Sequence, residues 1–435
     1  MRYYKEGVIM KDKIRNVLSK VWLICKEIPS WTKAAIFKVR DLLIKAYKKF
    51  LKFSPDLQVC ILSVLVIFGL ITLVRMPDKF KKSIELPSIN SAEPDVSGVG
   101  EEITVSIAGD IMIHDGLLSD AKQEDGSYNF SKCFSEISNL ISSSDISIAN
   151  FNGVISENDA ECYGYPYFFS PEVLCENLRD TGFDVISLCN TQSNNNGKKG
   201  IESTTQAFSN VGIKTFGTSE TNDPLFIIQD GIRIALISAV DPSVYSSEKQ
   251  ASLYNCFDRE LLRKSVDKCK LWGADVIIAF TRWGETGESI PTSYMTEWSD
   301  FLVSLGVDAV IGGGSHIPMP IRTAQVGDDN DIDQLDKGLI YYSLGNFISN
   351  QRDNGGYMGY VINLTIRKIS QDETRIVDSE VIPVYTNVDI SDGKNFKVVP
   401  VYENASAPSW MDESNAEKFY STYEIVNTLT QYLGN

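Results

Sequence analysis

The chain contains two histidines, His114 and His316, and both lie near the ends of stretches that predict strands. His316 closes the glycine-rich run 312–316, and Asp110 follows the β-branched run that begins at Ile103. A carboxylate and an imidazole at strand ends can bind a divalent cation or move a proton in a reaction. Asp110 and His316 are therefore the candidate catalytic residues.

Further polar side chains lie at or just after the ends of other predicted strands. They are Asn152, Asn190, Gln192, Arg282, Glu285 and Asn346. Amides form hydrogen bonds but are poor ligands for transition metals, and a guanidinium has donors only and cannot coordinate a cation. We therefore predict that these six residues bind a ligand through hydrogen bonds and charge.

Strand-like and helix-like stretches alternate after residue 102. The predicted strands are 103–108, 146–149, 185–188, 232–239, 276–280, 309–311, 338–344 and 360–366, and the predicted helices include 171–180, 198–210, 259–271 and 293–305. This mixed order is typical of an α/β domain, in which helices cover buried sheets and functional loops lie at strand ends.

Six short motifs at the ends of predicted strands, taken in chain order, resemble the CapA family of capsule (poly-γ-glutamate) synthesis proteins. The motifs are Ala108-Gly109-Asp110, Ala149-Asn150-Phe151-Asn152-Gly153, Leu188-Cys189-Asn190-Thr191-Gln192, Thr281-Arg282-Trp283-Gly284, Gly312-Gly313-Gly314-Ser315-His316 and Tyr342-Ser343-Leu344-Gly345-Asn346-Phe347. The resemblance covers residues 102–385. It implies an α/β (α+β) fold similar to metallophosphatases, a four-layer sandwich in which helices flank two facing mixed β-sheets.

The resemblance also implies a metal site, from which this chain departs at most of the ligand positions. Asn152 stands where the family has an acid, Gln192 and Arg282 stand where it has histidines, and His316 is the last histidine of a motif that usually has more. We therefore expect no metal cofactor. If a divalent metal such as Mn, Zn or Fe does bind, Asp110 and His316 are its expected ligands.

Arg282 is the residue expected to replace part of the missing positive charge. Its guanidinium could pair with Asp110 or with a carboxylate ligand through bidentate hydrogen bonds. His114 lies four residues after Asp110, where the family has no ligand, and Met112 occupies the position that an Asp-x-His motif would need. We predict that His114 is a surface histidine or a hydrogen-bonded core histidine.

The charge distribution predicts a membrane anchor and two compartments. Residues 1–56 hold 14 Lys/Arg and 5 Asp/Glu, whereas residues 76–435 hold 26 Lys/Arg and 52 Asp/Glu. Between them, residues 57–74 carry no charge, and as a helix they would span about 27 Å, close to the hydrocarbon thickness of a bilayer. We predict a single-pass protein of the cell membrane, with a cytoplasmic N-terminus and an extracytoplasmic main domain.

This reading divides the chain into five parts. We predict a basic cytoplasmic segment with an amphipathic helix (1–56), a transmembrane helix (57–75), a flexible linker (76–101), the CapA-like domain (102–385) and a C-terminal extension with a helix (386–435). Six cysteines follow the membrane helix without zinc-binding spacing, so we interpret most of them as small apolar residues.

Three functions remain open from the sequence. The first is a pseudoenzyme that assists the synthesis, export or anchoring of an anionic capsule or surface polymer, of the poly-γ-glutamate type, together with other envelope polymer synthesis proteins. The second is an active metal-dependent phosphoesterase or polymer hydrolase of the cell envelope. The third is a structural or sporulation-related envelope protein without a ligand. A nucleic-acid partner is excluded because the folded part is strongly acidic.

Overall fold

The structure is a computed structural model that describes residues 100–218, 223–244, 251–325, 337–371, 373–389 and 391–430. The predicted cytoplasmic segment, the transmembrane helix and nearly all of the linker lie outside these residues. Within the described ranges, no helix combines the length and the apolar character that a membrane span requires.

The described residues form sixteen strands and eight α-helices. The strands are β1 (Glu102–Ile111), β2 (Ile146–Phe151), β3 (Val154–Ser156), β4 (Phe169–Pro171), β5 (Val185–Ser187), β6 (Lys214–Phe216), β7 (Leu225–Gln229), β8 (Ile232–Val240), β9 (Val276–Arg282), β10 (Ala309–Gly313), β11 (Ile321–Gln325), β12 (Lys337–Tyr341), β13 (Asn346–Ile348), β14 (Met358–Lys368), β15 (Thr374–Asn387) and β16 (Lys397–Pro400). The helices are α1 (Asp115–Ala121), α2 (Ser131–Phe134), α3 (Ser138–Ser142), α4 (Val173–Thr181), α5 (Gly197–Asn210), α6 (Arg259–Leu271), α7 (Ser293–Ser304) and α8 (Glu413–Thr430).

Two mixed sheets form the centre of the domain. The larger sheet has the strand order β16-β15-β14-β1-β2-β5-β6, with β13 also paired to β1, and the smaller has the order β11-β12-β10-β9-β8-β7. Neighbouring strands β1, β2, β5 and β6 are parallel, as are β8, β9, β10 and β12. Strand β16, from the predicted C-terminal extension, forms an edge of the larger sheet.

The two sheets pack face to face because each strand directs alternate apolar side chains into the space between them. In β1, Val105 and Ile107 enter this inner core, where they join Ile234 and Ile278 of the smaller sheet. The opposite face of β1 contributes Ala108 to a second core. The inner core therefore holds the two sheets together.

Helices cover both outer faces. Helices α1 to α5 contribute Leu117, Phe134, Ile141, Leu178 and Phe208 to the core on the larger sheet. Helices α6 and α7 contribute Val266 and Leu302 to the core on the smaller sheet. The described residues thus form layers of helices, sheet, sheet and helices, which is the mixed α/β organisation that the sequence predicts.

All six cysteines in the described part of the chain are free. Cys133, Cys175, Cys189 and Cys269 are buried, whereas Cys162 and Cys256 are partly exposed. Burial raises the pKa of the Cys189 thiol to about 12. The four buried residues act as small apolar side chains in the cores, as their spacing suggested.

Candidate functional site

The candidate site forms where parallel strands of both sheets end. In the larger sheet, Asp110 of β1 lies opposite Asn150 of β2 and Asn346 of β13. In the smaller sheet, Arg282 of β9 lies opposite Gly313 of β10. Because the carboxyl ends of parallel strands meet at one edge of a sheet, polar side chains that are distant in sequence become neighbours here.

Asp110 is the centre of a buried hydrogen-bond network. Its side chain pairs with His316, with 2.7 Å between Asp110 Oδ2 and His316 Nδ1, and its Oδ1 atom accepts a 2.6 Å hydrogen bond from Asn150 Nδ2. Asn190 Nδ2 then donates to Asn150 Oδ1 at 3.3 Å and to the Phe151 carbonyl oxygen at 2.6 Å. Asp110, Asn190 and His316 are all buried, so the protein supplies the partners that water would otherwise supply.

Gln192 and Asn152 extend this network. The backbone N–H of Gln192 donates to the side-chain oxygens of Asn152 and Asn190, at 3.3 Å and 3.1 Å. The Gln192 side chain accepts a 2.5 Å hydrogen bond from Asn195 Nδ2. The predicted residues Asn152, Asn190 and Gln192 are therefore brought together.

Two amide atoms at the site are buried without a partner among the described residues: Nδ2 of Asn152 and Oδ1 of Asn346. The Nδ2 atom of Asn346 donates to Gln351 Oε1 and to the carbonyl oxygen of Gly356, at 2.9 Å and 2.8 Å. A buried polar atom without a partner costs about 1–3 kcal/mol, so a water or ligand group that reached these atoms would stabilise the site.

Arg282 is buried beside the glycine turn of the smaller sheet. Its Nη1 atom donates to the carbonyl oxygens of Trp283 and Gly284, at 3.1 Å and 2.8 Å. Its guanidinium lies against Gly314, where an added Cβ atom would come within 2.1 Å of Nη1. Gly314 also has φ +111°, so glycine is required here for both conformation and space. The side chain of Glu285, in contrast, is exposed.

His114 lies near the same site, although its sequence position suggested no role. Its Nε2 atom is 3.1 Å from Ser349 Oγ, and its ring packs edge-on against Phe168 at 4.9 Å. Burial lowers the pKa of His114 to about 4, Asp115 opposes this shift, and the nearby His316 adds to it. The imidazole of His114 is therefore neutral at neutral pH.

The residues of this site do not fit a binuclear metal centre. Across the described ranges, no cluster of three or more His, Cys, Asp and Glu side chains could hold a metal ion. Both oxygens of Asp110 and the Nδ1 atom of His316 already form hydrogen bonds within the protein. A cation would have to break these bonds and would gain amides in place of the anionic ligands that usually hold it.

Two spaces adjoin the network. A cavity of about 20 Å³ lies between the sheets and is lined by Asp110, Asn150, Ser187 and Thr281 among others, which is room for about one water. A cleft of about 420 Å³ lies beside the His316 loop. Its lining includes Ser315, Ile317, Thr286, Asn350, Gln351, Arg352, Asp353 and Asn354. The cleft has the volume of a small-molecule binding site.

Sequence reasoning did not select Asn150 and His114 as site residues. Asn150 could have been found from strand alternation, because it lies two residues before Asn152 and so faces the same side of an extended chain. No local signal marked His114, because the chain after β1 must first fold over the strand ends before its ring meets Ser349.

Comparisons with known proteins agree with the motifs. The family profile described as "Bacterial capsule synthesis protein PGA_cap" matches residues 104–351. The capsule biosynthesis protein CapA of Bacillus anthracis is 24% identical over 298 residues, which cover 62% of this chain and 68% of that protein.

Two solved structures are also similar. The calcineurin-like phosphoesterase YfkN from Bacillus subtilis has a TM-score of 0.41 at 14% identity, over 76% of this chain and 98% of that chain. The NAD nucleotidase NadN of Haemophilus influenzae has a TM-score of 0.43 at 12% identity, over 76% of this chain and 61% of that chain. Because the family profile covers more than half of the sequence, this chain belongs to the PGA_cap family of bacterial capsule synthesis proteins, the CapA family that its motifs resemble.

Proposed function

We propose that this protein assists the synthesis, export or anchoring of an anionic capsule polymer, of the poly-γ-glutamate type, and that it does so without metal-dependent catalysis. Membership of the capsule synthesis family supports the first part. The hydrogen-bond network around Asp110 supports the second, because His316 and Asn150 take the positions on the carboxylate that cations would need.

Positive groups beside this network suit a carboxylate ligand. Arg282 supplies a permanent charge close to the strand ends, and Arg352 lines the neighbouring cleft. The Nε and Nη2 atoms of Arg352 are buried and form no hydrogen bond of normal geometry within the described residues. Burial lowers the pKa of this guanidinium, and the nearby Tyr385 opposes the shift. These two atoms form one edge of the guanidinium, which matches the two oxygens of a carboxylate.

The acidic surface of the domain limits how such a polymer can bind. A polyanion is repelled over most of residues 76–435, which hold 52 Asp/Glu and 26 Lys/Arg. Screening at physiological salt reduces repulsion beyond about 8–10 Å, so an arginine-lined cleft acts on a short stretch of polymer at close range. The proposed role is therefore to hold a local segment or an end of the chain.

The proposed location is the outer face of the cell membrane. The charge-free segment 57–74 and the basic residues before it support a single anchor with the N-terminus in the cytoplasm. The same placement would bring the domain close to other envelope polymer synthesis proteins, which are its proposed partners.

Metal analysis of the purified full chain tests this proposal. We expect the native protein to contain far less than one equivalent of manganese, zinc or iron after incubation with each ion and desalting. Arg282→His replaces a guanidinium, which cannot coordinate a metal, with an imidazole, which can. Any gain in retained metal should therefore appear in this variant. Stoichiometric metal in the native protein would contradict the proposal.

A second candidate function is hydrolysis at the cell envelope, and the Asp110–His316 contact favours it. A carboxylate that holds Nδ1 of a histidine leaves Nε2 to exchange a proton with a water or a leaving group. Turnover of bis(p-nitrophenyl) phosphate, with and without added manganese, would test this function in the native protein and in Asp110→Ala. Turnover that Asp110→Ala abolishes would favour the hydrolase over the holding role.

A further inference from the structure

Three exposed tyrosines lie on one short segment beside the candidate site. Tyr163, Tyr165 and Tyr167, here called the tyrosine rim, are 40%, 76% and 51% exposed. Large aromatic side chains at this exposure are uncommon on a free surface and are enriched where proteins bind partners or ligands. The segment therefore requires an explanation beyond folding.

Other aromatic rings hold the tyrosine rim in place. Tyr163 stacks on Phe169 at 5.2 Å between ring centroids and meets Tyr167 edge-on at 6.3 Å. Tyr165 meets Phe168 edge-on at 6.3 Å, and Phe168 is buried with φ +50°, a strained backbone conformation for a bulky residue. These contacts restrict the conformations of the tyrosine side chains. Less side-chain entropy is therefore lost when a ligand binds to them.

The tyrosine rim is connected to the buried network. Asn195 donates through Nδ2 to the Tyr167 carbonyl oxygen and to Gln192 Oε1. Phe168 packs on the ring of His114. A ligand that lies on the exposed tyrosines would therefore extend toward the amides at the strand ends.

The acidic residues just before the tyrosine rim in the sequence disfavour a polyanion as its ligand. Glu157, Asp159 and Glu161 are exposed just before it in the sequence, and the carboxylate of Asp115 accepts a hydrogen bond from the Gly164 backbone N–H. Anionic polymer segments would be repelled here. This region differs in this respect from the cleft that Arg352 lines.

A sugar ring matches the remaining chemistry. The C–H groups on the face of a pyranose carry partial positive charge and pack well on the negative face of an aromatic ring. Its hydroxyl groups both donate and accept, so they suit the exposed carboxylates of Asp159 and Glu161 next to the exposed amide of Asn158, whose Nδ2 atom is 3.1 Å from Glu161 Oε1. A lysine side chain could bind the carboxylates and the ring faces, but it has no acceptor for the amide N–H groups.

We propose that the tyrosine rim binds a neutral, hydroxyl-rich sugar chain at the edge of the candidate site. The residues involved are separate from Arg282 and Arg352, so this inference goes beyond the proposed capsule role. It would give the protein one surface for a cell-wall glycan and another for an anionic polymer. Stoichiometric metal in the native protein would contradict the capsule proposal and leave this one standing.

The test is a binding titration of the purified full chain with tetra-N-acetylchitotetraose, followed by tyrosine fluorescence and saturation-transfer NMR. We expect saturable binding that weakens at least tenfold in Tyr165→Ala and stays within about twofold of native in Tyr165→Phe, which keeps the ring. Tyr402→Ala is the matched control, because Tyr402 is 48% exposed and lies in the C-terminal part of the chain. This control should bind as the native protein does.

Several outcomes would overturn the inference. Equal affinity in the native protein and in a Tyr163→Ala, Tyr165→Ala, Tyr167→Ala variant would place the sugar elsewhere. Tyrosine-dependent binding of oligolysine without binding of the sugar would assign the surface to a basic protein segment. Dimerisation that Tyr165→Ala abolishes, again without sugar binding, would assign it to a second copy of the chain. No sugar binding up to about 10 mM, the weak end of useful affinities, would also overturn it.

Discussion

The two sheets contribute opposite chemistry to the candidate site. The larger sheet supplies the carboxylate of Asp110 and the amide of Asn150, whereas the smaller sheet supplies the guanidinium of Arg282 and, in the loop after β10, the imidazole of His316. The contact between Asp110 and His316 crosses from one sheet to the other. The site is therefore also part of what holds the sheets together, and variants on either side should reveal how strongly they depend on each other.

The largest effect is expected on the side of the smaller sheet, from Gly314→Ala. The added methyl group would collide with Arg282 and would force alanine into a left-handed backbone conformation. We expect a loss of about 3 kcal/mol in the free energy of unfolding, from strain and overpacking together. Urea denaturation measures it.

Gly231→Ala is the control for this prediction. Gly231 also has a positive φ, +77°, but an added Cβ there would meet no atom within 4 Å. Gly231→Ala should lower the free energy of unfolding by about 1 kcal/mol, the conformational cost alone, because no collision is added. Equal losses in the two variants would mean that the packing of Arg282 against Gly314 is unimportant.

A smaller effect is expected on the side of the larger sheet, from Asp110→Ala. This change leaves the donors of Asn150 and His316 without their acceptor in a buried site, at a cost of about 2 kcal/mol. A double-mutant cycle with His316→Ala should give a coupling energy of about 1 kcal/mol between the two side chains. Strictly additive losses would show that the sheets do not depend on each other through this contact.

The smallest effect is expected from His114, through pH. Its pKa is about 4 in the folded protein and near 6.5 in an unfolded chain, so between these values only the unfolded chain takes up the proton. The stability contribution of neutral His114 is therefore complete above about pH 6.5 and is lost as the pH falls toward 4. We expect native stability to fall by about 1 kcal/mol more than that of His114→Gln between about pH 7 and pH 5.5. Identical pH slopes in urea denaturation would contradict this.

Much of the frame of the site was predictable from sequence because its parts are local. Asp110 and Arg282 each end a strand whose apolar residues mark it as buried, and the glycines before His316 predict a tight turn. The resemblance then supplied the order of these motifs and the identity of the missing ligands. None of this required knowledge of contacts between distant residues.

The remaining features depend on register and packing, which a single sequence does not specify. Asn150 reaches Asp110 only because β1 and β2 pair in one particular register. His114 meets Phe168 only because the tyrosine segment folds back over α1. The two segments approach so closely that only glycine fits at position 164, since an added Cβ there would lie 2.8 Å from the Cα atom of His114. The ligand preferences of Arg282 and Glu285 stay predictions.

The free thiols of the domain have a practical consequence. Because the cores close around cysteines such as Cys175 and Cys269 without pairing them, the folded state of residues 100–430 owes nothing to an oxidant. Burial holds the pKa of Cys269 at about 12, so its thiolate, the form that reacts with alkylating reagents and other thiols, is scarce at neutral pH. Recombinant material can therefore be prepared and stored in reducing buffer, and a cysteine introduced at an exposed position can carry a label with little competition from the four buried thiols.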